Sequence, residues 1–265
     1  DVYKRQEGVE SAMTNYSTYI NWRRQFHRFP ELSDQEYKAT KTLKQILKSY
    51  LDLPLNTGLV AEIGDGEDMV AVRTDIDALP NRRTSTSWIY FNKSRCHACG
   101  HDIHIASILA VVTKLKEIES QLTGRVRLIF QAAEELGHGA FKITDAGVLK
   151  GAKAVLGFHN YPTLNVGEFA IKSGVTTSSV GRFQFQIRGK GAHAAKPEQW
   201  NDPVVVVGQL INSLQTIISW NLSAFDNVVV TISEISCGNT WNVIADKAYI
   251  QGTVRSYSEK ILMMD

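Results

Sequence analysis

The residues best suited to chemistry form a short run between positions 96 and 104. The run contains five potential ligands of nitrogen or sulfur type, namely Cys96, His97, Cys99, His101 and His104. Cysteine thiolates and histidine nitrogens are the ligands that zinc sites use most often. A metal site is therefore the leading interpretation, ahead of buried or redox-active cysteines that bind no metal.

Chain geometry narrows the choice of ligands within this run. Cys99 and His101 flank Gly100, and residues two apart lie on one side of an extended chain. If a loop leads here into a helix with Asp102 near its N-cap, Cys99 and His101 can reach one centre. Three alternatives stay open, namely half a zinc knuckle from Cys96 and Cys99, the pair His97 and His101 at helical spacing, and one zinc that only holds the loop.

Two adjacent glutamates, Glu134 and Glu135, follow a strand predicted over residues 125–130. Adjacent side chains of an extended chain point in opposite directions, so one glutamate can bind metal while the other faces substrate. This division suits hydrolysis, because a metal lowers the pKa of its bound water and a free carboxylate accepts the proton. The pair therefore predicts one ligand and one general base.

Other potential ligands also follow predicted strands. His159 follows residues 154–158, and Asp75 and Asp77 follow a strand that ends at Thr74. Open α/β sheets build their sites at the carboxyl edge of the strands. Thiolate, imidazole and carboxylate together suit zinc or a similar first-row ion, and the set is rich enough for two metals that share a bridging group.

The elements that must position these residues alternate between strands and helices up to residue 175. Predicted strands cover residues 59–63, 69–74, 125–130 and 154–158, and predicted helices cover residues 103–118 and 141–146. The first two strands are expected to form a hairpin or close pair, and the fourth to be buried. Ser33 and Glu36 fit a capping box for a helix that runs to about residue 50. The pattern predicts an open mixed α/β sheet in a catalytic domain over residues 7–175.

The pattern changes in the last third of the chain. A half-buried strand is predicted over residues 182–188, an amphipathic helix over 202–220, and alternating strands over 227–234 and 248–255. This order predicts a smaller α+β domain over residues 176–265.

Composition argues against several classes of partner. The 265 residues include 29 Lys plus Arg against 27 Asp plus Glu, and the basic residues are scattered. We therefore expect no nucleic-acid partner and no membrane partner. Apolar runs are far shorter than the roughly 20 residues that a membrane span needs. The 3 cysteines are a poor disulfide framework, which favours a cytoplasmic protein.

Eight short motifs occur in a fixed order along the chain. They are Arg24 with His27 and Pro30-Glu31-Leu32, Arg73 to Pro80, His97 to Asp102, Phe130 to Glu135, Gly157-Phe158-His159, Gly189 to Ala195, Asn242-Val243-Ile244, and Gly252 to Arg255. This series resembles the M20 metallopeptidases, specifically the amidohydrolase branch with hippurate hydrolases, N-acyl-amino-acid amidohydrolases and auxin-conjugate hydrolases.

The resemblance implies a dinuclear site with two divalent ions, zinc or manganese, with cobalt or nickel as further options. Cys99 would be the bridging thiolate, and the other metal ligands would be His101, Glu135 and His159. Asp77 would support the ligands, and Glu134 would be the general base. The smaller domain would be a lid that also forms a homodimer. In it, His193 would polarise the scissile carbonyl, and Asn242 and Arg255 would hold the substrate carboxylate.

The implied function is hydrolysis of the amide bond of N-acyl amino acids or similar small amides by a water that Glu134 activates. An N-acetyldiaminopimelate deacetylase, a dipeptidase and an inactive binding or dimerisation fragment are the alternatives. Residues 81–92 and Ala245 depart from the family pattern, so substrate fit is expected to differ. The resemblance also implies a later catalytic segment with a final histidine ligand, so residues 1–265 alone are expected to bind metal incompletely and to have little activity.

Overall fold

The structure, a computed structural model, describes residues 16–80 and 94–258. The chain divides into two compact units, Asp1–Val166 and Gly167–Asp265. The domain boundary predicted from the sequence lies between residues 175 and 176. The departure noted at residues 81–92 lies outside the described residues.

The first unit contains four helices and six strands in its described part. Residues 16–28 are helical (α1). The other helices are α2 (Tyr37–Leu47), α3 (His101–Glu117) and α4 (Gly139–Asp145). The strands are β1 (Leu59–Ile63), β2 (Met69–Asp75), β3 (Leu79–Pro80), β4 (Arg95–Cys96), β5 (Arg125–Gln131) and β6 (Ala152–Gly157).

The main sheet has the strand order β1-β5-β2-β6. Strand β2 is parallel to both β5 and β6, and β1 is antiparallel to β5. The prediction of an open mixed α/β sheet is thus confirmed. The predicted pairing of the first two strands is wrong, because β5 lies between them. Three consecutive residues of β5, Leu128, Ile129 and Phe130, are buried, and such a continuous apolar run favours a central position with both faces covered.

The two faces of this sheet are covered by different helices. On one face, Phe130 packs with Phe26 of α1, Leu43 of α2 and Leu109 of α3. On the other face, the adjacent Ile129 packs with Ile143 of α4. Neighbouring residues of β5 therefore serve opposite layers, as the alternation of a strand requires.

The structure corrects two local predictions in this unit. The helix predicted from Ser33 begins at Tyr37, and no side-chain hydrogen bond caps it. Ser33 and Glu36 instead bond distant backbone and carboxylate groups near the sheet edge, and these long-range bonds replace the capping box. Strand β6 is not buried, because it lies at the sheet edge, where Leu156 is 57% exposed.

The second unit is a three-stranded antiparallel sheet with one long helix. Its elements are β7 (Ser179–Arg188), β8 (Ala192–His193), α5 (Pro203–Asn221), β9 (Val228–Cys237), β10 (Val243–Ile244) and β11 (Lys247–Ser256). The sheet order is β7-β11-β9, and β8 pairs with β10.

Helix α5 packs on this sheet. Val207 of the helix contacts a small core with Ala248 and Ile250 of β11. Among the described helices, α5 alone has the length and apolar composition that could cross a membrane. A helix that packs against a sheet can have the same length and apolar composition, and Val207 of α5 packs against the sheet in this way.

Candidate active site

The potential ligands of the first unit gather at one edge of its sheet. Strands β2, β5 and β6 run parallel, so their carboxyl ends share this edge. The side chains at these ends are Asp75, which ends β2, and Asp77 just after it, Glu134 and Glu135 after β5, and His159 after β6. Helix α3 begins at the same place with His101. The structure therefore brings together the residues that the sequence places after separate strands.

His101 lies at the centre of this group and is only 1% exposed. Its Nδ1–H donates to the backbone oxygen of Asp77 at 2.9 Å, which leaves a lone pair on Nε2. This Nε2 lies 3.7 Å from Asp75 Oδ2, 3.7 Å from Glu135 Oε1 and 3.8 Å from Glu134 Oε2. Among the described residues, neither His101 Nε2 nor Glu135 Oε1 has a hydrogen-bond partner, although both are buried.

Two buried orphan atoms at this spacing fit a shared metal ion. Zinc lies about 2.0–2.2 Å from histidine nitrogen and carboxylate oxygen, so two ligands of one ion are at most about 4 Å apart. The 3.7 Å between His101 Nε2 and Glu135 Oε1 is within that span. The arrangement therefore fits the divalent metal that the sequence predicts.

Cys99 and His159 approach the same histidine. One ligand atom each of Cys99, His101 and His159 lies within 4.8 Å of the others. His159 Nδ1–H donates to the backbone oxygen of Asn160 at 2.8 Å, so its Nε2 is free to bind metal. Gly100 adopts a left-handed φ of 86°, and a Cβ there would lie 2.3 Å from Asn160 Oδ1. Only glycine therefore fits between Cys99 and His101.

The geometry of the two glutamates differs from the sequence prediction. Strand β5 ends at Gln131, and the chain then turns through Ala133, whose φ is 52°. Glu134 and Glu135 do not continue an extended strand, and both carboxylates approach His101. The two side chains therefore do not point in opposite directions, and that prediction is wrong. They differ in exposure instead, with side chains 40% and 17% exposed respectively.

Asp77 connects two predicted ligands. Its Oδ2 accepts hydrogen bonds from Glu135 N at 2.9 Å and from Ser33 Oγ at 2.7 Å, and its backbone oxygen holds His101. Burial opposes ionisation of Asp77, but its hydrogen bonds with His101 and Ser33 outweigh this effect and lower its pKa. The Asp77 carboxylate thus fixes the backbone at Glu135, and the Asp77 backbone oxygen orients the His101 ring.

Asp75 and His104 are potential ligands by sequence, and the structure pairs them with one another in a buried position. His104 Nδ1 lies 2.7 Å from Asp75 Oδ1, and its Nε2 lies 2.7 Å from Asn160 Oδ1 and 3.0 Å from Asn160 N. One ligand atom each of Asp75, His101 and His104 lies within 4.8 Å of the others, but both ring nitrogens of His104 already have these hydrogen-bond partners, which compete with a metal. Burial opposes ionisation of Asp75, yet the bond to His104 and the charges of His101 and Arg73 lower its pKa to about 2.

The sequence also indicates that Asp75 lies near the site. Asp75 ends β2 and Asp77 lies two residues later, so the side chains of both can face the same edge. His104 lies one helical turn beyond His101 and contacts the same region.

Cys96 and His97 are the ligands of the competing pairs. Within the described ranges, no convergent group of three metal-binding side chains includes Cys96 or His97. Both residues are buried, and burial lowers the pKa of His97 to about 4.

The N-terminal motif contacts the start of α3. His27 Nδ1 lies 2.8 Å from Asp102 Oδ2, and the guanidinium of Arg23 lies beside this pair.

The electrostatics of the site favour a cation. Burial and the neighbouring carboxylate of Glu135 raise the pKa of the Cys99 thiol to about 12. Burial and the charge of Glu135 also raise the pKa of Glu134. These carboxylates and this thiol make it harder for one another to ionise. A divalent ion bound among them would stabilise their charged forms.

The predicted lid residues lie in the second unit. Strand β8 carries His193 opposite Val243 of β10, and Ala194 N donates to the backbone oxygen of Asn242 at 3.0 Å. His193 and Asn242 are therefore neighbours. Arg255 lies exposed near the end of β11. The predicted roles of all three residues stay predictions, as do those of the metal ligands.

Comparison with known proteins identifies the family. Residues 71–259 match Peptidase family M20/M25/M40. The chain belongs to this family. It is 43% identical to N-acetylcysteine deacetylase of Bacillus subtilis over 253 residues, which are 92% of this chain and 67% of that protein.

Two further similarities fall within the same family. An Arabidopsis thaliana IAA-amino acid hydrolase, ILR1-like 4, is 38% identical over 263 residues, 95% of this M20 chain and 60% of the plant protein. The crystal structure of Bacillus subtilis YxeP, a dinuclear metal binding peptidase of the M20 family, superposes with a TM-score of 0.74 and 38% identity, covering 94% of this chain and 67% of YxeP. The chain thus spans 60–67% of the length of these relatives.

Proposed function

We propose that the full-length protein hydrolyses the amide bond of N-acyl amino acids with two divalent metal ions. The single observation that carries the proposal is a pair of buried atoms, His101 Nε2 and Glu135 Oε1, which lie 3.7 Å apart at the sheet edge and have no hydrogen-bond partner among the described residues. The ligands would be Cys99, His101, Glu135 and His159, with Cys99 between the two ions. Similarity to an N-acetylcysteine deacetylase and to an IAA-amino acid hydrolase supports an acylated amino acid as the substrate class.

Glu134 is the proposed general base. When bound, the metal ions supply Lewis acidity, which polarises the substrate carbonyl and makes water a stronger acid. Glu134 accepts the proton of that water as its oxygen attacks the carbonyl carbon. Glu134 then returns the proton to the amide nitrogen as the carbon–nitrogen bond breaks, giving a carboxylic acid and a free amine. The raised pKa of Glu134 brings the carboxylate closer to the range in which it can both accept and release a proton.

The second unit would complete substrate binding. His193 would donate a hydrogen bond to the scissile carbonyl, and Asn242 and Arg255 would bind the substrate carboxylate. All three are partly or fully exposed, so each can reach a ligand. A homodimer through this unit is also proposed. Helix α5 supports it, since Val204 and Val205 on its outer side are 51% and 58% exposed.

Several finer points belong to the same proposal. Zinc or manganese would occupy the site, with cobalt or nickel as alternatives, because thiolate, imidazole and carboxylate all bind such ions. We place the protein in the cytoplasm. That residues 1–265 alone bind metal incompletely stays a prediction.

A substrate panel tests the function directly. The full-length protein, loaded with Zn²⁺ or Mn²⁺, would be assayed with N-acetyl amino acids, N-acetyldiaminopimelate and unmodified dipeptides. We expect release of free amino acid from N-acetyl amino acids, and loss of that activity after chelation. Turnover of dipeptides alone would favour the dipeptidase alternative, and turnover of N-acetyldiaminopimelate alone would favour the biosynthetic deacetylase. No turnover of any amide by metal-loaded protein would contradict the proposal.

A further inference from the structure

Glu36 is a buried carboxylate that neither the fold nor the reaction described above explains. It is 0% exposed, although it immediately precedes the first turn of α2. Its side chain does not cap that helix. Burial raises its pKa, and a carboxylate held away from water is destabilising unless specific bonds offset the loss of hydration.

Besides hydrogen bonds to its own backbone N–H and to the side chain of Thr57, Glu36 makes one that leads to the candidate active site. Its Oε1 accepts the backbone N–H of Ala133 at 2.8 Å, across 97 positions of sequence. Ala133 is fully buried and left-handed, with a φ of 52°, a conformation that residues with a Cβ avoid. The next two residues are Glu134 and Glu135. The direction of both carboxylates therefore depends on how the Ala133 peptide is held.

The backbone oxygen of Ala133 is held as well. The backbone oxygen of Ala133 accepts from Gly139 N at 3.0 Å. A Cβ on Gly139 would lie 1.8 Å from the backbone oxygen of Ala132, so the helix start can approach the turn only at a glycine. With Glu36 on one side and Gly139 on the other, residue 133 is held at both its backbone N–H and its backbone oxygen.

The segment before Glu36 also reaches the site. Ser33 Oγ donates to Asp77 Oδ2, the same oxygen that accepts Glu135 N. Ser33 and Glu36 thus contact the two groups that orient the glutamate pair. The four-residue pattern that resembles a capping box in the sequence therefore forms hydrogen bonds with groups at the sheet edge instead.

We infer that Glu36 is a positioning residue, which directs Glu134 and Glu135 toward His101 by holding the N–H of Ala133. This inference rests on the proposed function, because it concerns the base and one ligand of that site. Glu36 acts through the turn and is not itself a catalytic residue. What matters in this role is the reach of its acceptor oxygen, not its charge.

Two substitutions separate reach from charge. Glu36→Gln keeps the length and one acceptor oxygen but removes the charge. Glu36→Asp keeps the charge but shortens the side chain by one methylene, which withdraws the acceptor from Ala133. Glu31→Asp is the matched control, because Glu31 lies on the same segment and its Oε2 accepts a backbone N–H too, that of Ala39 at 2.8 Å in α2.

The main readout is steady-state kinetics of the full-length metal-loaded protein on an N-acetyl amino acid. We expect Glu36→Asp to lower kcat about 100-fold with KM nearly unchanged, because a displacement of about 1 Å at a catalytic group has a cost of that order. Glu36→Gln and Glu31→Asp should stay within about threefold of the wild type. Equal loss in Glu36→Gln and Glu36→Asp, or no loss in either, would overturn the inference.

Hydrogen exchange of the metal-free protein gives a readout that needs no activity. The Ala133 amide should exchange at least about tenfold faster in Glu36→Asp than in the wild type, and at the wild-type rate in Glu36→Gln. If the wild type binds no metal and cleaves no amide, the proposed function fails while this exchange result still decides the inference. Unchanged exchange in Glu36→Asp would overturn it.

Discussion

The two units of the chain differ in how far they bury their polar side chains. The first unit buries Asp75, Asp77 and His101 to 1% exposure or less, and pairs each with specific partners. In the second unit, Ser256 is the only polar side chain within the described range that is buried. Buried charge is unfavourable unless it is matched, so its concentration at one sheet edge points to a site. The exposed His193 and Arg255 carry no such structural signal.

The largest expected effect tests the role of the first unit in the reaction itself. Glu134→Gln should lower kcat by about 1,000-fold, because an amide cannot accept the proton of water. Metal content, measured by plasma mass spectrometry, should stay at the wild-type level. Loss of metal along with activity would instead make Glu134 a ligand and would exchange its role with that of Glu135.

Removal of the charge of Asp77 tests whether this buried carboxylate supports metal binding by the neighbouring ligands. Asp77 Oδ2 accepts Glu135 N, and Asp77 Oδ1 lies 3.4 Å from His101 Nδ1, so Asp77→Asn should weaken Zn²⁺ binding about 10–100-fold, as loss of such supporting bonds does elsewhere. Competitive titration with a chelating dye measures this. Ser107→Ala on the exposed side of α3 is the control, since its hydroxyl bonds only the backbone of its own helix. Equal affinity in Asp77→Asn and the wild type would refute a supporting role for Asp77.

A change in the second unit should separate catalysis from metal binding. His193→Ala should lower kcat/KM at least about 10-fold, because one hydrogen bond to the developing charge on the carbonyl is lost. Zn²⁺ affinity should not change. Loss of metal in this variant would break the contrast between the two units, and unchanged kinetics would remove His193 from the mechanism.

The smallest effect concerns acid stability. The pKa of Asp75 is lowered from 3.8 to about 2, so its ionised form stabilises the fold above pH 3.8, and this contribution is lost as pH falls toward 2. It amounts to about 2 kcal/mol of unfolding free energy. Chelator-treated Asp75→Asn should therefore show a flatter dependence of stability on pH between 2 and 4, in urea melts followed by circular dichroism. A wild-type slope in the variant would show that Asp75 does not titrate as described.

The sequence predicts most of the fold because the apolar patterns are strong. The run that forms β5 and the periodicity of α3 identify these elements without tertiary information. The pairing of β1 with β5 is not predictable in the same way, since the short loop after β1 favours a hairpin locally. Only the apolar content of β5 and its need for two covered faces place it between β1 and β2.

The candidate site is predictable in its residue types and not in its local geometry. Strand ends place Asp77, Glu134 and His159 at one edge, as the sequence indicates. The left-handed Ala133 is not visible in the sequence, because alanine rarely adopts that conformation. Its conformation depends on Glu36, which is distant in sequence and fits a local capping pattern equally well.

Metal stoichiometry tests the central claim most directly. The full-length protein would be freed of metal, titrated with Zn²⁺ and followed by calorimetry, with Cys99→Ala as the matched variant. We predict two ions per chain in the wild type and loss of at least one high-affinity ion in Cys99→Ala. No stoichiometric binding in the wild type, or full binding by Cys99→Ala, would contradict a dinuclear site bridged by Cys99.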